Sequence, residues 1–310
     1  MDAYTQETRA WLEPRFEGTT AGGVYIAHQP IYGFAAGHCE ASLLPRYVRT
    51  LEIMRVLARL RFDSCLDVGA AEGYKAELVR RLFGAHVVAT DLSANACRRA
   101  REIFGLPARA ADVHDLPFEA GGFDVVLCSE TLEHVSDADA ALAELLRVAR
   151  RAVIITVPRE PERRVRANRS SGGPQPHIHR FDRDSLDTMA GEHGVTVLVR
   201  PIVSPFTAAL GGLVEGAQPG LRESADYSRA GNRLVRVPAA MARVMSRFLG
   251  ASAESRLIDL DRAACRWLRQ HRALLFVALK DRSAWSDQPA RTVTAEDVVS
   301  FNVPFHYPKR

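Results

Sequence analysis

Short apolar runs alternate with amphipathic stretches through the middle of this chain. Leu44, Tyr47, Val48, Leu51, Met54 and Leu57 recur at helical spacing with Pro45 in the first turn, which predicts an amphipathic helix packed beside the first strand. Cys65 to Val68 is short and largely apolar, as a buried parallel strand requires. Helix-forming residues run from Glu72 to Phe83, and Val87 to Ala89 supply a second strand that leads to Asp91. A helix from Asn95 to Phe104 closed by Gly105, a short strand reaching Asp112, a strand from Phe123, a helix from Asp137 to Arg150 and a strand from Ala152 to Pro158 follow. A helix from Asp184 to Glu192, ended by Gly194, precedes a strand from Thr196 to Val203. This alternation predicts an α/β fold with a doubly wound, mostly parallel sheet and right-handed crossovers.

The flanks are less regular. Residues 1–40 hold aromatic and turn residues, as in GVYIAHQPIYGF, without clear periodicity. Val237, Met241, Val244, Met245 and Phe248, and then Leu257, Leu260, Ala264 and Leu268, fall at helical spacing, and Leu274 to Lys280 reads as a last strand before a tail containing FNVPFHYP. The organisation expected is an N-terminal extension and helix over 1–61, a core over 62–203, a helical insertion over 204–271, and the last strand with a tail over 272–310.

Gly69, Ala70, Ala71 and Gly73 give the first strand a turn with little side chain, which lets a ligand approach the backbone. Asp91, at the carboxyl end of the next strand, stands where an acid can accept both hydroxyls of a ribose, so a nucleoside is expected. The turn lacks the three glycines of a dinucleotide site, and it has no GK[ST] of a phosphate-binding loop.

DVGAAEG resembles the ExGxGxG-type first motif of class I S-adenosylmethionine (SAM) methyltransferases, with Asp67 in the acidic position and Ala71 where the middle glycine stands. Ala111–Asp112–Val113, FDVVLCSETLEHV from Phe123 to Val135, and AVIITVP from Ala152 to Pro158 are similar to the later motifs of the ubiquinone/menaquinone type, over about residues 62 to 203. The resemblance implies a Rossmann-like sheet of seven strands and SAM as cofactor. It assigns Asp67, Gly69, Ala71 and Gly73 to the methionine moiety, Asp91 with Leu92 to the ribose, Asp112 and Val113 to the adenine, and Ser129 with Glu130 to the sulfonium end. The activity implied is in-line methyl transfer, with O-methylation of a small molecule, glycan or natural-product intermediate preferred. The fourth strand ends in CSET and not in [DN]PP[YF], which disfavours transfer to an amide or ring nitrogen.

A hydroxyl acceptor needs help in losing its proton. His134, just past the fourth strand, ranks first as base, with Glu130 beside it; His177 and His179 of PHIHRF and His28 are further choices. A rival reading starts from Glu130, Glu133 and His134, which match the ExxEH element of metal-dependent RNA 3′-terminal 2′-O-methyltransferases, and from His179 in HRFDRDSL, which is similar to their HRFEW segment. Two carboxylates and two imidazoles suit Mg²⁺ or Mn²⁺. The tryptophan of that segment is absent, and ExLEHV also occurs in small-molecule methyltransferases without a metal, so the preferred reading has none. A third reading is a SAM-binding scaffold without turnover.

Charge and cysteine usage narrow the setting. The net charge is only +4, yet Arg159, Arg163, Arg164, Arg166 and Arg169 share one polar loop, either a solvated segment or a flap for an anionic acceptor. Aromatic platforms beside these arginines are not evident, which disfavours nucleic acid. Five scattered cysteines, Cys39, Cys65, Cys97, Cys128 and Cys265, argue for reduced thiols in a cytoplasmic protein. There is no apolar core of signal-peptide length at the N-terminus and no run of ~20 apolar residues for a membrane span. The 204–271 insertion is expected either to contact a second subunit in a homo-oligomer or, with the arginine loop, to cover the SAM crevice.

Overall fold

The computed structural model describes residues 1–33, 38, 43–171, 177–207, 255–256 and 258–308. Seven strands form one sheet: β1 (Ser64–Val68), β2 (His86–Asp91), β3 (Ala108–Ala110), β4 (Phe123–Ser129), β5 (Ala149–Pro158), β6 (Thr196–Ile202) and β7 (Ala273–Leu279). Their order is β3-β2-β1-β4-β5-β7-β6, with β7 antiparallel to both β5 and β6 and the other pairings parallel. Every residue of β4 and β7 is buried, as strands covered on both faces must be, which explains the unbroken apolar run of β7 and the apolar stretch of β4 between Asp124 and Ser129.

Helices α3 (Tyr74–Phe83), α4 (Ala94–Phe104), α5 (Ala138–Val148) and α7 (Arg183–Gly191) follow the strands expected. Gly73 and Gly105 flank α3 and α4 in left-handed conformations, and Ser93 and Asp137 cap α4 and α5. Two apolar layers result. One packs α3 and α2 (Leu43–Leu57) on one face, and the other packs α5 and α7 on the opposite face. Helix α2, expected beside the first strand, crosses β6 and β7 within the cluster that also takes in Cys65 of β1.

Two elements depart from the sequence pattern. Residues 3–15, read as aperiodic, form α1 (Ala3–Arg15), which buries only Thr5, Thr8 and Leu12 and is held at its start by the Asp2 carboxylate on the Thr5 N–H, 2.7 Å. The arginine segment, read as a loop, contains α6 (Glu162–Ser171), laced by Arg166 on Glu162 four residues before it, and Arg164 on Glu160 of the preceding turn. Of the two helices expected in the insertion, the first, around Val237 to Phe248, lies outside the described residues; the second is helical over 258–268. Cys39 also lies outside them, and the other four cysteines are buried free thiols. Among the described residues no helix is long and apolar enough to cross a membrane.

Candidate cofactor and acceptor site

The order of the sheet reverses between β1 and β4, and ligands of such sheets bind beyond the carboxyl ends of the strands at that point. The first turn there is tight. Gly69 has φ +71°, and a Cβ on it would collide with the Thr131 side chain; at Gly73, φ +82°, a Cβ would sit 2.8 Å from Leu106 Cδ1. Ala71 takes a left-handed φ of +49°, a conformation that costs an alanine about 1 kcal/mol. Its N–H donates to Asp91 Oδ2 at 2.9 Å, which ties the turn to the end of β2.

Acids crowd this crevice. Asp67 is 1% exposed with Oδ2 unpartnered, and burial pushes its pKa up to about 7, Lys75 opposing and Asp91 adding to the rise. Asp91 is 8% exposed and accepts from the Ala71 and Ser93 N–H groups, yet burial still raises it to about 6. Leu92 packs beside Ala71 against Leu12 and Phe16. Asp112 takes the His114 N–H at 3.1 Å and His114 Nδ1 at 2.7 Å, while Val113 is buried. Ser129 shares a hydrogen bond with Thr156 of β5, 2.8 Å between hydroxyl oxygens.

Beyond β4, Glu130 has φ +56°, and its Oε2 lies 3.0 Å from Arg49 while Oε1 is buried and unpartnered. Glu133 is 1% exposed in a 3₁₀ turn, Leu132–His134, and its Oε2 is also unpartnered. Burial, reinforced by the Glu130 charge, holds the Glu133 carboxyl well above the usual carboxylate range. His134 Nε2 is 3.9 Å from Glu133 Oε1, and its ring meets the His177 ring edge-on at 4.7 Å between centroids. Glu160, at the end of β5, fixes His177 through Nδ1 at 2.8 Å. One potential ligand atom from each of Glu133, His134 and His177 lies within 4.8 Å of the others.

The histidine in this cluster is therefore His177, not the expected His179. His179 spends Nε2 on the Val135 carbonyl at 2.7 Å, and burial lowers its pKa. His28 is half-buried, its pKa pressed well down by desolvation and by Arg15, Arg46 and Arg99; its backbone N–H donates to Glu72 and its ring meets Phe16 at a tilt. The sequence reading missed three cations. Arg46 reaches the His28 carbonyl, Arg49 meets Glu130, and Lys75 lies in a desolvated position that lowers its pKa, with Asp67 and Glu130 acting the other way. The available signal was two arginines, three residues apart, on a helix otherwise almost wholly buried.

A family model for a methyltransferase domain matches residues 66–157. The chain is 40% identical over 106 residues to the ubiquinone biosynthesis O-methyltransferase of Xanthomonas oryzae pv. oryzae, covering 31% of this chain and 44% of that protein. It is 33% identical over 150 residues to the malonyl-[acyl-carrier protein] O-methyltransferase of Halorhodospira halophila, covering 46% of this chain and 50% of the relative. Among solved structures, the SAM complex of Haemonchus contortus phosphoethanolamine N-methyltransferase 2 superposes with a TM-score of 0.52 at 16% identity, over 91% of this chain and 61% of that one. The fold is that of class I SAM-dependent methyltransferases. The matches take in half or less of the length of these curated relatives.

Within that fold, the motif positions at the ends of β1, β2 and β4 lie around the point where the strand order reverses, while Asp112 and Val113 follow the edge strand β3. Asp67 and the 69–73 turn stand at the end of β1, Asp91 at the end of β2, and Glu130, Glu133 and His134 follow β4. The roof over them was not foreseen. Helix α1 lies against the turn and Leu92, while most of the insertion expected to share the cover with the arginine segment, residues 208–254, lies outside the described residues. Asp2 accepts from the Ser136 hydroxyl beyond β4 and Glu13 from Ser93, Ala94 and Asn95 at the start of α4, so the helix spans the crevice.

Proposed function

We propose that this chain binds SAM and transfers its methyl group to a hydroxyl of a small acceptor. The observation that carries the reading is the set of buried, unpartnered carboxylate oxygens on Asp67, Glu130 and Glu133 around the reversal point, set against the cations of Lys75, Arg46 and Arg49. Buried polar atoms without partners cost ~1–3 kcal/mol each, so a fold keeps them where a ligand satisfies them. A molecule with an ammonium, a carboxylate and a ribose diol fits: Asp67 takes the ammonium, Arg46 or Lys75 the carboxylate, and Asp91 the diol. Asp112 and Val113 fit the adenine edge.

Bound SAM supplies an electrophilic methyl group. The protein's own part is to hold an acceptor in line and to take its proton. His134 and His177 stand together for that role, with Glu160 setting the tautomer of His177 by accepting from Nδ1 so that Nε2 is the basic nitrogen. Two relatives are O-methyltransferases by name, which supports a hydroxyl acceptor. The arginines of α6, at the exit of β5, support an anionic one. Incubation with radiolabelled SAM and fractionated lysate tests the reading: label in a hydroxyl-bearing product is expected, whereas tight SAM binding with no labelled product would favour a scaffold.

The convergence of Glu133, His134 and His177 supports a second reading in which the same three side chains hold a divalent cation that binds and acidifies the acceptor hydroxyl. Glu160 then orients His177 from behind, as carboxylates behind metal-bound histidines do. Full turnover after chelation eliminates that reading.

A further inference from the structure

The N-terminal residues make two passes beside the turn that follows β1. In the first, α1 lays Leu12 and Phe16 on Ala71 and Leu92, next to the turn and the ribose carboxylate. In the second, residues 18–33 run past the starts of α3 and α4, burying Val24, Ala27, Ile31 and Tyr32 in the apolar layer and tied to the helices and the turn by hydrogen bonds. Arg99 donates to the Ile26 carbonyl at 2.8 Å and the Gly18 carbonyl at 3.1 Å, and lies 4.0 Å from the centre of the Tyr25 ring. Glu72 accepts from the His28 N–H at 2.6 Å, and the Gln29 side chain accepts from the Tyr74 N–H at 2.8 Å. Asp91 is buried near Glu13 of the first pass although its proposed task is to meet a ribose.

The end of the chain lies over the second pass. Val303 donates to the Ile31 carbonyl at 2.8 Å, and Tyr25 donates to the His306 carbonyl at 3.0 Å, a ladder of the kind found between strands. Phe305 meets the Tyr32 ring at 5.2 Å and stacks on His38 at 4.2 Å. This outer layer is thin: Phe305 is 44% and Tyr307 61% exposed, so releasing it uncovers little apolar surface. It is anchored just before, where Phe301 is buried against Tyr74 and Phe104.

We propose that residues 303–308 are a latch for the N-terminal strap, and that cofactor enters and leaves when latch and strap open together. The inference rests on SAM occupying the crevice, but its mechanical half does not. The chemistry of the latch is two backbone hydrogen bonds, a long one from the His306 N–H to the Tyr32 hydroxyl, and the Phe305 ring edge-on to Tyr32 and stacked on His38, a set weak enough to open on the timescale of ligand exchange while the sheet stays closed.

Two variants test it. Val303→Pro removes the N–H that bonds Ile31, and a chain ending at Asn302 removes the latch but keeps the Phe301 anchor. Hydrogen exchange without ligand should quicken at residues 18–32 in both, with β1, β4 and β5 unchanged; exchange at 18–32 equal to that of the parent overturns the latch. Release of S-adenosylhomocysteine, followed by stopped flow, should be ~10-fold faster in both, as expected when the open state gains that much population. Faster exchange with an unchanged release rate would show that the strap moves but does not gate the cofactor, which also overturns the proposal. Failure of the parent to bind the nucleoside at all counts against the SAM reading and leaves the exchange result to decide the latch.

Discussion

Arg99→Met should detach the strap from the cofactor loop at a cost that can be worked from the contacts. Arg99 and Glu72 are both fully buried, 3.4 Å apart, in the middle of an α/β core. Breaking a buried ion pair from one side costs about 3–5 kcal/mol, because the remaining charge is stranded. Here Glu72 has an escape. Burial already raises its pKa, so on losing Arg99 it takes up a proton, and the cost shifts to the Ile26 carbonyl, which loses the guanidinium donor, and to the Gly18 carbonyl, which keeps only the Ile26 N–H. Two part-buried hydrogen bonds from a charged donor at ~1.5 kcal/mol each give about 3 kcal/mol. The Tyr25 and Phe16 rings, 4.0 and 5.7 Å from the guanidinium, lose a smaller cation–π contribution. Glu72→Gln with Arg99→Met removes the stranded acid and should recover part of the loss, so the cycle returns a coupling above ~1 kcal/mol. Urea unfolding of the four proteins measures the cycle, and hydrogen exchange locates the loss. A loss under ~0.5 kcal/mol, with residues 18–32 protected as in the parent, would refute the idea that this pair holds the strap.

Further outcomes follow from the same site. Asp67 is raised to about 7 and Asp91 to about 6, so the folded, ligand-free protein binds more protons than the unfolded chain between the ordinary carboxylate range and neutrality. These two groups therefore add stability that is greatest at low pH and is lost as pH rises towards 7. An ammonium beside Asp67 needs it ionised, so nucleoside affinity should run the opposite way and tighten ~10-fold from pH 6 to 8 with proton release; calorimetry in buffers of different ionisation enthalpy measures both, and a flat profile contradicts the pairing. If the divalent-cation reading holds, EDTA should abolish turnover and added Mn²⁺ restore it; if His177 is a base, His177→Gln should lower kcat by ~10²-fold or more at unchanged nucleoside affinity, with EDTA without effect.

The sheet was legible because β1, β4, β5 and β7 are buried along most of their length, which favours apolar runs. The acids proposed for the cofactor were legible as motif positions because they stand at strand ends in a fixed order. Helix α1 was not, since it buries just three residues and owes its place to carboxylates at its two ends, Asp2 on Ser136 and Glu13 on α4, contacts that no local pattern announces. The exchange of His177 for His179 was equally hidden: both belong to PHIHRF, and which ring faces Glu133 depends on the Ile178 N–H docking on the Glu133 carbonyl, 2.9 Å, and on Glu160 arriving from β5. Arg46 and Arg49 read as the polar side of an amphipathic helix until the fold set that side against the crevice.

Calorimetric titration with S-adenosylhomocysteine tests the central claim most directly. The account predicts one site per chain, and Asp91→Ala should weaken it ~10-fold or more, the loss of hydrogen bonds to a charged acceptor worth ~1.5–3 kcal/mol. No binding by the parent, or equal affinity in Asp91→Ala, would contradict the placement of a SAM nucleoside at the ends of β1 and β2.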